Sequence, residues 1–183
     1  MTIVNIERIS FLRHAHSDLA GGDEGRVLSA KGLTQAFNMK KLVTMDYDLV
    51  ICSTAKRTIE TAEILLMASQ KNIKLLKIKS LYLPLDDGDI NDISKMLTMH
   101  PYATPKEMLS YDKAGAWDRY ADNAYDDIIN AAHENQSSRL LIIGHSTITN
   151  LLGVKFGGNV DPLMSFMIGS CQGFSVICNK EIE

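Results

Sequence analysis

Residues 9–17 read ISFLRHAHS, a short apolar run that ends in an arginine, two histidines and a serine. The run Ile9–Leu12 predicts a buried strand, and the polar residues stand where that strand ends. The same order, an apolar run followed by polar residues and a helix-length segment, returns at residues 48–58 and 140–147. In α/β sheets the ligand crevice lies outside the carboxyl ends of the strands, so the three segments are predicted to converge there.

Short apolar runs alternate with helix-length amphipathic segments along the chain, which predicts an α/β fold. We expect further strands at 73–78, 165–168 and 174–177. One helix is predicted to begin after Ser29 as its N-cap, and a long helix with an aromatic core stripe is predicted around residues 117–132. For the helix after Ser29, the predicted buried face consists of Leu33, Ala36, Phe37 and Val43.

Residues 83–114 carry three of the four prolines, at positions 84, 101 and 105. Proline breaks helices and interrupts sheet ladders. We therefore expect an irregular segment of loops and short helices that covers the active site.

The composition predicts one globular domain over residues 1–183, with 45% apolar and 22% charged residues. The formal net charge is −3, so the chain has no excess of basic residues that would indicate a nucleic-acid partner. It also has no polybasic run and no long apolar run that would indicate a membrane partner. The sparse cysteines, Cys52, Cys171 and Cys178, favour reduced thiols and a cytoplasmic location. The oligomeric state is left open.

The residues at the predicted strand ends suit an anionic ligand. Arg13 and Arg57 offer planar donor forks that match phosphate or carboxylate oxygens. Helix N-termini after Ser53 and Ser146 would point backbone N–H groups at the same anion. A donor-rich site whose neutral nucleophile candidate is a histidine indicates phosphoryl chemistry.

Three motifs give the chain a resemblance to a known family: Leu-Arg-His at 12–14, Ser-x-x-x-Arg-Thr-x-x-Thr-Ala at 53–62, and Gly-His at 144–145. In this combination the chain resembles the histidine phosphatase superfamily. The resemblance implies the phosphoglycerate-mutase-like fold, a three-layer sandwich with a mostly parallel central sheet and helices on both faces. Ala15 stands where the family usually has glycine, as in its small phosphohistidine-phosphatase-like branch.

The resemblance also implies a mechanism. His14 would form a phosphohistidine that water then hydrolyses, and Arg13, Arg57 and His145 would hold the phosphoryl oxygens. Ser17 falls where the family often places a hydroxyl near the phosphate. No cofactor and no metal are implied, and the substrate would be a small phosphorylated metabolite or a phosphoprotein.

The proton donor is the least defined member of the site. The family's common Leu-x-Glu pattern after the third strand is absent, because Leu81 is followed at that spacing by Leu83. Asp86 is the first carboxylate after the strand and is our predicted donor, with Asp87 and Asp89 as alternatives. A solvated acidic loop without a catalytic member is the competing interpretation.

Other functions compete for the same residues. Residues 144–148 resemble the G-x-S-x-G elbow of serine hydrolases, but the last glycine is missing and no histidine follows His145. His14 and His16 form an H-x-H pair that could ligate a metal ion. A non-catalytic phosphate-binding protein that keeps the fold, or a mutase-type phosphotransferase, remains the alternative to a phosphatase.

Overall fold

The computed structural model describes residues 5–20, 22–39, 46–67 and 72–181. The strands are β1 Asn5–Arg13, β2 Leu49–Ser53, β3 Lys74–Ile78, β4 Arg139–Gly144 and β5 Gly173–Glu181. The helices are α1 Gly22–Gly25, α2 Ala30–Asn38, α3 Lys56–Leu66, α4 Asp87–Met99, α5 Pro105–Tyr111, α6 Ala116–Glu134, α7 Ser146–Lys155 and α8 Val160–Met164. A 3₁₀ turn, Lys79–Leu81, follows β3.

The strands form a single sheet with the order β3-β2-β4-β1-β5. Strands β1 to β4 pair in parallel, and only β5 runs antiparallel, against β1. The register sets Arg13 beside Gly144 at the end of the β1–β4 pair, and Cys52 beside Ile143 near the end of the β2–β4 pair. The carboxyl ends of β1, β2 and β4 therefore lie side by side at one edge of the sheet.

Both faces of the sheet are buried, and alternate residues of β4 face opposite layers. Ile142 belongs to a core cluster that includes Trp117 of α6, whereas Ile143 belongs to a second cluster that includes Leu65 of α3. This alternation follows from the two-residue period of a strand. The predicted α/β class, with a mostly parallel sheet and helices on both faces, is confirmed, and the aromatic stripe of α6 is core.

The prediction of a strand at 165–168 is wrong. Those residues form bends and coil between α8 and β5. The amide Nδ2 of Asn150 donates to the carbonyl oxygens of Leu163 and Phe166, at 2.6 and 3.2 Å, and Arg13 Nη1 donates to the carbonyl oxygen of Ile168 at 2.7 Å. Side chains thus take up backbone carbonyls that a strand would use for its ladder.

The predicted buried face of α2 is only partly correct. Ser29 is the N-cap, accepting a hydrogen bond from the backbone nitrogen of Gly32, and Ala36 is fully buried. Leu33 and Phe37 are about half exposed, because the helix turns the small Ala36 towards the core. Val43 lies outside the described residues.

The segment 83–114 is more regular than predicted. It contains the 13-residue helix α4 and the shorter α5. Thr104 and Glu107 form a reciprocal capping box, with Pro105 in the first turn, where a proline costs no hydrogen bond. Pro101 follows the C-cap of α4 and Pro105 begins α5, so these two prolines flank or begin helices rather than break them.

Candidate active site

A cleft of about 570 Å³ opens at the carboxyl edge of the sheet, where the three sequence segments meet. Its lining includes Arg13, His14, Asp23, Arg26, Arg57, Tyr82 and His145. Four of these, Arg13, His14, Arg57 and His145, are the residues that the three strand-end segments predicted, and the structure brings all four together.

His14 is buried, with 6% of its surface exposed, and its hydrogen bonds define its tautomer. Nδ1 lies 2.7 Å from the carbonyl oxygen of Ala15, which can only accept, so Nδ1 carries the proton. Nε2 lies 3.2 Å from Nε of Arg57, which can only donate, so Nε2 keeps its lone pair. Burial, reinforced by the charges of Arg57 and Arg13, lowers the pKa of His14 to about 3. The ring is therefore a neutral nucleophile candidate at pH 7.

Arg57 links the two histidines of the site. Its Nη2 lies 3.3 Å from Nδ1 of His145, and the rings of His14 and His145 are 5.3 Å apart. Arg57 is buried, with 4% of its surface exposed. Burial lowers the pKa of Arg57, and the neighbouring Asp23 opposes this shift.

Hydroxyl groups of the sequence motif at 53–62 orient the ring of His145. Since Arg57 donates to Nδ1, Nε2 carries the proton and donates to Oγ of Ser53 at 2.9 Å. Oγ of Ser53 also lies 2.8 Å from Oγ1 of Thr58, whose hydroxyl donates to backbone carbonyls at the start of α3. Burial lowers the pKa of His145 well below its usual value. Ser53 and Thr58 therefore fix the orientation of a neutral His145.

The structure adds three polar residues that the sequence did not single out. Asp23 of α1 accepts from Tyr82 Oη at 2.9 Å and pairs with Nη2 of Arg26 at 2.6 Å and of Arg57 at 3.4 Å. Although burial acts in the opposite direction, Arg57, Tyr82 and Arg26 together lower the pKa of Asp23. Among the described residues that line the cleft, Asp23 is the one carboxylate.

The prediction for Asp86 is not supported by its position. Asp86 is the N-cap of α4, and its Oδ1 accepts from the backbone nitrogens of Gly88 and Asp89 at 2.8 and 3.2 Å. It lines a separate cavity with Asp89 and Arg119. The carboxylate of Asp89 accepts two hydrogen bonds from Arg119, and Asp87 is exposed.

Ser17 and His16 also lie away from the cleft lining. Ser17 forms a β-bridge with Leu28, which turns the chain after β1 away from the sheet edge. His16 is exposed, and its Nδ1 lies 2.7 Å from Oγ of Ser29, the cap of α2. His14 and His16 thus face different partners, which does not favour the H-x-H metal site.

The comparisons with known proteins agree with this geometry. The sequence pattern of the histidine phosphatase superfamily (branch 1) matches residues 9–78. No curated protein matches the chain in sequence. No helix among the described residues is long and apolar enough to span a bilayer.

Solved structures with the same fold cover nearly the whole chain. A phosphoglycerate mutase from Bacillus anthracis is 17% identical, with a TM-score of 0.65 over 94% of this chain and 88% of its own. The alpha-ribazole phosphatase from Shigella flexneri is 19% identical, with a TM-score of 0.64 over 94% and 91%. The protein histidine phosphatase SixA, solved with tungstate, is 14% identical, with a TM-score of 0.57 over 96% of both chains.

The match over residues 9–78 contains Arg13, His14 and Arg57, and the sheet adds His145 to the same cleft. Residues 9–78 are thus similar to the histidine phosphatase superfamily (branch 1), and the chain as a whole has the phosphoglycerate-mutase-like fold.

Proposed function

We propose that this chain is a phosphatase that hydrolyses a phosphate monoester or a phosphoramidate through a phosphohistidine on His14. The observation that carries the proposal is the neutral Nε2 of His14, held between Arg57 and His145 in a cleft with a second and a third arginine. A buried imidazole with an unprotonated nitrogen among cations serves attack on an anionic phosphoryl group.

The reaction proceeds in two displacements. The Nε2 lone pair attacks phosphorus, the bond from phosphorus to the leaving oxygen or nitrogen breaks, and the leaving atom keeps the electron pair and takes a proton from water. Water then attacks the phosphohistidine, the P–N bond breaks, and inorganic phosphate leaves while His14 returns to its neutral form. Each step releases or takes up its proton through solvent.

The arginines supply the electrostatic part of the catalysis. Arg57 gives up its hydrogen bond to Nε2 of His14 and donates to the phosphoryl oxygens instead, with Arg13 beside it. Nε2 of His145 donates its hydrogen bond to Ser53 and therefore donates none to the phosphoryl group. The role of His145 is to position Arg57, which donates to Nδ1 of the same ring. Preorganised donors of this kind stabilise charge that spreads over the equatorial oxygens.

Trapping of the covalent intermediate tests the proposal. The protein is mixed with a ³²P-labelled aryl phosphate and quenched under alkaline conditions, which preserve phosphohistidine. We expect label on His14 and a loss of turnover of about 10⁴-fold or more in His14→Ala. His133→Ala, at an exposed position on α6, is the matched control and should retain both turnover and label.

Two outcomes would overturn the proposal. Label on His145 or Ser146 would assign the nucleophile to another residue. Tight binding of phosphate without turnover of any ester would indicate a non-catalytic phosphate-binding protein.

A further inference from the structure

Besides its charged residues, the cleft has an apolar wall. Helix α4 contributes Ile90, Ile93 and Leu97, whose spacing of three and four residues places them on one helix face. Trp117 of α6 and Met167, from the segment before β5, also line this part. The group that carries the phosphate must therefore lie against aliphatic and aromatic carbon.

The described charged residues of the cleft lie outside this apolar wall. The lining cations are Arg13, Arg26 and Arg57, and the one lining carboxylate, Asp23, pairs with two of them. The polar residues that α4 adds to the lining, Ser94 and Thr98, are uncharged. A second anion on the substrate would therefore meet no described cation at the apolar wall, and a carboxylate placed there would lose its hydration without a partner.

The cleft also offers a poor source of protons for the leaving group. Leu83 lines it where the resemblance would place a glutamate, and Asp86 caps α4 in a different cavity. Asp23 is held as a carboxylate by its three donors. A leaving atom that departs readily without a protein acid is therefore favoured over an alkoxide.

We propose that the phosphoryl donor is an uncharged, planar aromatic group, a phenol or an imidazole, rather than a metabolite with a second anion. This inference rests on the proposed phosphatase function. It assigns the specificity to the apolar face of α4, with Leu97 as the residue nearest to solvent among the three that line the cleft.

A pair of matched substrates tests the apolar wall. Phenyl phosphate and 3-carboxyphenyl phosphate have leaving groups of similar acidity and differ by one carboxylate. We expect kcat/KM to favour phenyl phosphate by about tenfold or more, the cost of an unpaired charged group in a partly dry site. Phosphoimidazole, measured beside phenyl phosphate, identifies which of the two aromatic leaving groups the enzyme prefers.

Substitutions on α4 localise the effect. Leu97 is 41% exposed, so a lysine there can reach solvent without entering the core. Leu97→Lys should shift the ratio towards 3-carboxyphenyl phosphate by up to about fivefold, the usual range for a partly exposed ion pair. Met99→Lys adds the same charge two residues away, at a position that is 61% exposed and does not line this cleft, and should leave the ratio unchanged.

The outcomes separate the two proposals. No turnover of these compounds together with turnover of an alkyl phosphate would overturn the aromatic donor, whereas no turnover of any phosphorylated compound would refute the phosphatase itself. Equal kcat/KM for the two phenyl esters, or the same ratio in Leu97→Lys as in the parent, would overturn the assignment of the apolar wall while the phosphatase stands.

Discussion

Acidification should destabilise this protein through its two buried neutral histidines. The folded-state pKa of His14 is lowered to about 3 by burial and by nearby arginines, and that of His145 is lowered in the same way. The unfolded chain takes up its protons near the ordinary value of about 6.5, before the folded chain does. The stability from keeping these rings neutral is therefore present above that pH and is lost as the pH falls from about 6.5 towards 3.

The size of the loss follows from the lowered pKa of His14. One pKa unit corresponds to about 1.36 kcal/mol, so lowering the pH about 1.5 units below the unfolded value costs about 2 kcal/mol for His14 alone. His145 adds a loss of the same sign. At about pH 5, His14 remains mostly neutral in the folded state and almost fully protonated in the unfolded state, so this window isolates the effect.

The assay is urea unfolding of the parent and of His14→Gln at about pH 7.5 and about pH 5, in buffer without phosphate. Phosphate is left out because a bound dianion would favour the protonated ring. We expect the pH-dependent loss of unfolding free energy to be about 2 kcal/mol smaller in His14→Gln than in the parent. His133→Gln, which removes an exposed histidine, should keep the full loss. An equal loss in the parent and in His14→Gln would refute the assignment of a buried neutral His14.

Three further outcomes are expected. Asp23→Asn should tighten the binding of inorganic phosphate, measured by calorimetry, by up to about fivefold, because it removes the carboxylate that competes for Arg57 and Arg26. Weaker binding would mean that Asp23 orients the arginines instead. Asp86→Asn should leave kcat/KM for phenyl phosphate within about twofold, because the amide oxygen can still cap α4, and a selective loss with poor leaving groups would restore Asp86 as proton donor. Prolonged EDTA treatment should leave turnover unchanged, and a rate that recovers only with added divalent ion would contradict a site whose positive charge comes from arginines.

The residues that could be predicted from the sequence are those fixed by local order at strand ends. Arg13 and His14 follow β1, Arg57 lies in the first turn of the helix after β2, and His145 follows β4. Parallel strands carry their next residues to the same edge, so adjacency in space follows once the strands are recognised. The same reasoning failed at 165–168, where the apolar pattern fits a strand but Asn150 bonds to the carbonyl oxygen of Phe166 and Arg13 to that of Ile168.

Asp23 and Tyr82 could not be found in this way. They lie 59 residues apart in the chain, and neither belongs to a periodic pattern; Asp23 lies in the short helix α1, and Tyr82 comes one 3₁₀ turn after the end of β3. Their contact depends on how the segment after β1 folds back, with Leu28 paired to Ser17 and its backbone nitrogen bonded to Oε2 of Glu60. Tertiary pairing of this kind leaves no local signal.

The cap of α4 connects the missing acid with the apolar wall. Asp86 was predicted as an acid because it is the first carboxylate after β3, but the same position makes it a good N-cap. Asp86 begins α4, and within this helix Asp89 bonds to Arg119 while Ile90, Ile93 and Leu97 line the cleft. The residue that starts the helix keeps its own carboxylate in a separate cavity, and the helix that it starts lines the cleft with carbon. A substrate with a readily departing aromatic group satisfies both consequences at once.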